Sequence, residues 1–252
     1  MSKLSELLRN GKILIPFLTC GDPDLASTAE NIQALVVQGV QVLILGIPFS
    51  DPTAEGTAIQ ESNIRALQGG VTTDKIFAFL ADLRKTVSIP ILIQTYANVV
   101  FSYGMDRFAK CCQDVAVSGI IIPDVPLEER DEFDAAFKPL GVDLISMIAP
   151  TSEKRIARIG AAAVGFVYVV SGIGTAEKKT DIGEMMDEIR RYTSLPCAIG
   201  MGVNTPAIAA EMAKHAEGVI VDLAFTEICC KYGKEAASHI AETAKEFLAA
   251  MQ

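Results

Sequence analysis

The sequence predicts an α/β protein: a single (β/α)8 TIM barrel spanning residues 1–252, with a short N-terminal helix. Three observations carry that expectation. Short apolar runs recur eight times, each followed by a loop and a helical interval. The runs are nearly continuous in hydrophobicity rather than alternating, as in parallel strands covered on both faces. The 252 residues, 50% of them hydrophobic, are enough for one barrel-sized core. A flavodoxin-like open sheet is the alternative, but it would have to hold eight regular strands without a clear edge.

Met1 to Asn10 reads as a short helix over the N-terminal end of the barrel. Ile13 to Leu18 is the first strand, ending in Thr19-Cys-Gly-Asp-Pro23. A helix follows, with Ala29, Ile32, Leu35 and Val36 on its apolar side. Strands two to five are Val42 to Leu45, Ile91 to Thr95, Gly119 to Ile122 and Asp143 to Ile148. Thr151 or Ser152 is placed to cap the next helix. Strands six to eight are Gly165 to Val170, Pro196 to Gly200 and Gly218 to Asp222. Asn204-Thr-Pro206 combines an N-cap with a proline in the first helical turn. Gly233 to Ala250 is the expected outer helix after strand eight.

Composition excludes several classes of function. There are 22 basic against 31 acidic side chains, a net charge of −9, which disfavours a nucleic-acid surface. Apolar runs are interrupted well before membrane-spanning length, and Met1-Ser-Lys-Leu-Ser-Glu lacks the apolar segment of a secretory signal, so no membrane partner and a cytoplasmic location are expected. The six cysteines, at 20, 111, 112, 197, 229 and 230, lack metal-site spacing and are expected to be reduced. His215 and His239 fall in helical segments, leaving little material for a metal centre or an imidazole-based triad. No metal is expected.

A closed barrel places its site at the C-terminal ends of its strands. There, Gly46 to Gln60 forms a polar loop carrying Asp51 and Glu55. Either carboxylate can reach a ligand or brace the loop, and Asp51 can equally dock a partner. Phe17, Tyr96 and Tyr168 stand at the same end with Asn98 and Asp124, so an aromatic-lined cavity with a few polar contacts is expected. Gly200-Met201-Gly202 follows strand seven at the corner where many barrels bind phosphate. Asp222 puts negative charge into that corner, which opposes an anion there.

Phe17-Leu-Thr-Cys-Gly-Asp-Pro23, Gly46-Ile-Pro-Phe-Ser-Asp-Pro52, Thr95-Tyr-Ala-Asn98, Ile122-Pro-Asp-Val-Pro126 and Gly200-Met-Gly-Val203 resemble, in order and spacing, the motifs of the tryptophan synthase alpha subunit family. The resemblance covers nearly the whole chain. It implies a TIM barrel that cleaves indole-3-glycerol phosphate to indole and glyceraldehyde 3-phosphate without a cofactor of its own. It also implies docking to a beta subunit that holds pyridoxal phosphate, through loops containing Asp51 and Gly104. By resemblance, Phe17, Ile44, Gln94, Tyr96, Gly174, Met201 and Leu223 stand at substrate-contact positions, and Gly200 and Gly202 at phosphate-contact positions.

Several of these positions depart from the family pattern. Ile44 stands where the family has its catalytic Glu, and an isoleucine transfers no proton. Glu55 stands in place of the family's loop Asp, Met201 in place of an aromatic residue, and Asp222-Leu223 in place of a Gly-Ser phosphate contact. Gln94 occupies a usually apolar position, and Ser171 to Glu177 departs from the loop that closes the site. Three functions follow as alternatives. The first is a lyase scaffold with impaired native turnover, using Glu55 as acid or base and Tyr168 as substrate support. The second is an engineered or specialised enzyme acting on a small aromatic substrate, with Asp222 as general base. The third is a non-catalytic homologue that binds a ligand or a beta-like subunit. For Asp222 itself, the plain alternative is a bond to loop N–H groups.

Overall fold

The protein is described by a computed structural model, in which residues 2–171 and 181–252 are described. Its strands are β1 (Ile13–Thr19), β2 (Leu43–Gly46), β3 (Ile91–Gln94), β4 (Gly119–Ile121), β5 (Asp143–Leu144), β6 (Ser146–Ile148), β7 (Val167–Val170), β8 (Cys197–Gly200) and β9 (Gly218–Val221). Every pairing is parallel, and the strand order is β5-β4-β3-β2-β1-β9-β8-β7-β6. The two ends of that order are consecutive in the chain, so the sheet curls into a barrel closed through segment 143–148.

The expected fifth strand is therefore corrected to two short ones. β5 pairs with β4, and β6 pairs with β7. Between them Ile145 donates its N–H to the Ile120 carbonyl at 2.9 Å and buries its side chain among the inward-facing residues. The strand changes partner partway along, and β6 pairs with β7 and not with β4.

Strand residues pointing inward form a core of their own: Ile13, Ile15 and Phe17 from β1, Ile44, Leu92, Ile121, Tyr168, Ala198 and Ile220. Leu4 and Leu8 on the Lys3–Arg9 helix join this core and plug the N-terminal end, as expected. Outward-facing residues such as Leu14, Leu45, Ile93, Val169 and Ile199 pack beneath the helices in a second cluster. This division into two buried layers explains the nearly continuous hydrophobicity of the strands.

The Pro206–His215 helix starts at Thr205, whose hydroxyl accepts from Ile208 N–H at 3.3 Å, with Pro206 in the first turn. At the Pro150–Arg155 turn, Ser152 Oγ accepts from Ala149 N–H at 3.2 Å, so the expected cap acts back toward the strand. The end of the chain needs a second correction. Leu223–Tyr232 forms a helix directly after β9, and the expected outer helix is a separate one, Ala236–Ala250, after a turn at Gly233–Glu235. His239 lies on that last helix, stacked on Tyr232 with ring centroids 3.6 Å apart, and His215 ends the Pro206–His215 helix.

All six cysteines are unpaired. Among the described residues there is no cluster of His, Cys, Asp and Glu able to hold a metal, and no helix long and apolar enough to cross a membrane.

Candidate active site

Parallel register brings the predicted residues to one end of the barrel. Phe17 pairs with Ile44, Gly46 with Gln94, and Val170 with Gly200. Two glycines make room for aromatic rings here. A Cβ at Gly46 would lie 2.6 Å from the Phe17 ring, and one at Gly200 would lie 2.9 Å from the Tyr168 hydroxyl and 2.8 Å from Ile220 Cβ. Gly200 is thus a spacer for Tyr168, whatever else its backbone does. Gly202, at φ +97°, continues the turn after β8.

Ile44 is fully buried in the inner core beside Phe17, with no polar atom to offer the mouth. An acid comes instead from the loop above. Glu55 is half-buried, and the Thr57–Gln68 helix holds it twice: Asn63 Nδ2 donates to Glu55 Oε2 at 2.8 Å, and Gln60 Nε2 donates to the Glu55 carbonyl at 2.8 Å. Burial pushes the Glu55 carboxyl above its ordinary pKa, hydrogen bonding from Asn63, Tyr96 and Gln94 pulls it back, and the negative charge of Asp222 adds to the rise. Burial likewise raises Tyr96, reinforced by Glu55. Tyr96 also accepts from Ala54 N–H at 3.2 Å and packs on Phe49 with centroids 5.3 Å apart, tying the loop down over the mouth.

Asp222 ends β9 and caps the Leu223–Tyr232 helix: its Oδ1 accepts from Leu223 N–H at 2.6 Å. Burial raises its pKa and the Leu223 N–H opposes the rise. Its charge is felt by the buried Tyr168 hydroxyl, whose pKa burial lifts well above the ordinary tyrosine value. Leu223 opens the helix with an apolar side chain. Met201 takes a left-handed backbone, φ +58°, unusual for a residue with a side chain, and its carbonyl accepts from Ser171 Oγ.

The remaining predicted residues lie at greater remove. Asp51 is exposed on the loop and accepts from Ser50 Oγ at 2.5 Å. Gly104, at φ +92°, joins the Ala97–Tyr103 and Met105–Asp114 helices. Asp124 is engaged in capping, accepting from Ala97 N–H at 3.0 and 3.3 Å. Gly174 lies outside the described residues.

Sequence reasoning missed Asn63 as the partner of Glu55 and a clamp on the loop helix, and it expected Asp222 to bond N–H groups of a loop where the structure has it bond Leu223 at a helix start. In that clamp, Arg65 donates to both oxygens of buried Asp22 at 2.8 Å. The helix start was detectable, because Asp222 precedes Phe225, Cys229 and Tyr232 at helical spacing. Asn63 carries no such signal. A cavity of about 440 Å3 flanks the mouth between the loop after β4 and β6. Four of the five N–H groups of Arg130 there bond Asp134, Ser146 and the Leu144 carbonyl.

Fold and mouth together define a (β/α)8-barrel protein with aromatic walls and two carboxyl groups at the C-terminal ends of its strands. A family profile described as tryptophan synthase alpha chain matches residues 4–252. The tryptophan synthase alpha chain of Lacticaseibacillus casei is 40% identical over 255 residues, covering 100% of this chain and 96% of the relative. Tryptophan synthase subunit alpha from Legionella pneumophila superposes with a TM-score of 0.90 at 30% identity, covering 100% of this chain and 98% of that one. A chain of the tryptophan synthase complex from Pyrococcus furiosus superposes at 0.87 with 32% identity, covering 94% and 98%. The chain belongs to the tryptophan synthase alpha chain family.

Proposed function

We propose that the chain is a cytoplasmic indole-3-glycerol-phosphate lyase scaffold whose native turnover is severely impaired and whose mouth still receives an indole-like ring. The observation that carries this reading is Ile44, fully buried beside Phe17 at the position where the family resemblance requires a catalytic Glu. Cleavage requires a proton delivered to the indole ring and another removed from the glycerol side. Glu55 is the surviving proton-transfer group, held by Asn63 and raised in pKa by burial. One acid in place of two leaves one proton transfer unassisted, worth typically about 10²- to 10⁴-fold in rate.

In this reading Phe17, Ile44, Gln94, Tyr96, Met201 and Leu223 surround the ring, Tyr168 supports it, and no cofactor is needed. The loops around Asp51 and Gly104 dock a beta-like subunit, which carries any pyridoxal phosphate. That proposal draws support from the structural likeness to a chain of the Pyrococcus furiosus tryptophan synthase complex. The test is the rate of indole release from indole-3-glycerol phosphate by the purified chain, alone and with a beta subunit, beside the Lacticaseibacillus casei alpha chain. We expect a rate at least about a hundredfold lower; a rate within a few-fold of the relative's would overturn the proposal.

A second reading is general-base catalysis by Asp222, favoured by its burial and by an Oδ2 that accepts no hydrogen bond from another described residue. Any turnover found in a screen of small aromatic substrates should then collapse in Asp222→Asn. Turnover unchanged by that substitution would remove Asp222 from the chemistry.

A further inference from the structure

We infer that the barrel mouth selects an aromatic ligand bearing an amine or ammonium group rather than a phosphate, with Asp222 and the Tyr168 hydroxyl as its polar contacts. The inference rests on the reading of the mouth as an indole-ring site and adds the charge of the group attached to the ring.

The Leu223–Tyr232 helix points its N-terminus at the mouth, and such a terminus ordinarily attracts an anion. Here the protein supplies that anion itself. Asp222 Oδ1 takes the Leu223 N–H at 2.6 Å, and a phosphate arriving at the same place would have to displace a carboxylate of like charge. Leu223 adds an apolar side chain in the first turn and no hydroxyl to bond a phosphate oxygen.

Two acceptors remain for a donor. Asp222 Oδ2 accepts from no other described residue. The Tyr168 hydroxyl, on a side chain only 2% exposed, has no hydrogen-bond partner among the described residues. It reaches the mouth through the space left by the missing Gly200 side chain. The ring is held by burial while its hydroxyl bonds no described side chain, which leaves that oxygen open to a ligand donor. Glu55 brings a second carboxyl, bonded by Asn63 at Oε2 and by Tyr96 and Gln94 beside it. The described residues acting on Glu55, Tyr168 and Asp222 include no Lys or Arg. Two carboxyl groups and a phenol, with no Lys or Arg acting on them, complement a ligand that carries N–H donors and positive charge.

The test is calorimetric titration of the intact chain at pH 7 with three ligands sharing one ring: tryptamine, indole-3-ethanol and indole-3-acetate, with indole as reference. Tryptamine should bind at least about tenfold more tightly than the alcohol, with the acetate weakest. In Asp222→Asn the tryptamine advantage should shrink to within about threefold while alcohol binding holds. Acetate binding as tightly as tryptamine, or equal binding of all three, overturns the charge selection and leaves the indole-ring reading standing. Failure of every ring ligand, indole included, overturns the indole-ring reading and the inference with it. The wild-type series decides the matter even if Asp222→Asn does not fold.

Discussion

Glu55 carries one methylene more than the aspartate implied by the family resemblance, and Asn63, Tyr96 and Gln94 bond its carboxyl. Asn63 grips one carboxylate oxygen from the helix below, and Gln94 brings a second amide to the same carboxyl. Removing the Asn63 donor should raise the Glu55 pKa further, because a contact favouring the charged form is lost; carbon-detected NMR titration of Asn63→Ala checks the direction. The raised carboxyls also set a pH dependence. Glu55, which faces Asn63, Gln94, Tyr96 and Asp222, and Asp222, which faces Tyr168 and Glu55, both bind their protons more tightly folded than unfolded. Their contribution to stability is full below the unfolded carboxyl value and is lost as pH rises through the folded one. Melting temperature should therefore fall less between pH 4 and pH 7 in Glu55→Gln than in the wild type, and parallel slopes would contradict this assignment. Glu55 and Asp222 could be picked out in the sequence because charge beside a strand end is conspicuous. Asn63 could not, because its role depends on where the helix after the loop sets its first turns.

Among the elements, the Thr57–Gln68 helix does most to position the site, and its anchor is the Arg65–Asp22 pair. Asp22 is only 2% exposed and takes both guanidinium bonds at 2.8 Å, fastening the helix to the end of β1. Arg65→Ala leaves that carboxylate buried without its partner and should cost about 3 kcal/mol in urea denaturation. A loss under 0.5 kcal/mol, roughly the level of an exposed pair, would show that the clamp is dispensable. The strands were readable from hydrophobicity because both of their faces are buried. The break at Ile145 was not, since a change of pairing partner leaves the apolar run uninterrupted. The Leu223–Tyr232 helix is legible only through its cap: Asp222 reads first as a charge at the mouth, and its place before a helically spaced apolar run is the sign of an N-cap.

For the whole molecule, residues 1–252 are proposed to act as one folding unit, because the sheet is completed only when segment 143–148 joins β4 to β7. Unfolding should be a single transition with coincident fluorescence and circular dichroism midpoints, and two separated midpoints would contradict it. On the proposed reading the chain keeps the family's barrel, while Ile44 stands in for a proton-transfer group and Asp222-Leu223 for a phosphate contact. That exchange is the central claim, and the indole-release rate of the triple variant Ile44→Glu, Asp222→Gly, Leu223→Ser on indole-3-glycerol phosphate tests it most directly. A rise of at least about a hundredfold over the wild-type chain is the expected result. A folded triple variant no faster than the wild type would contradict the account.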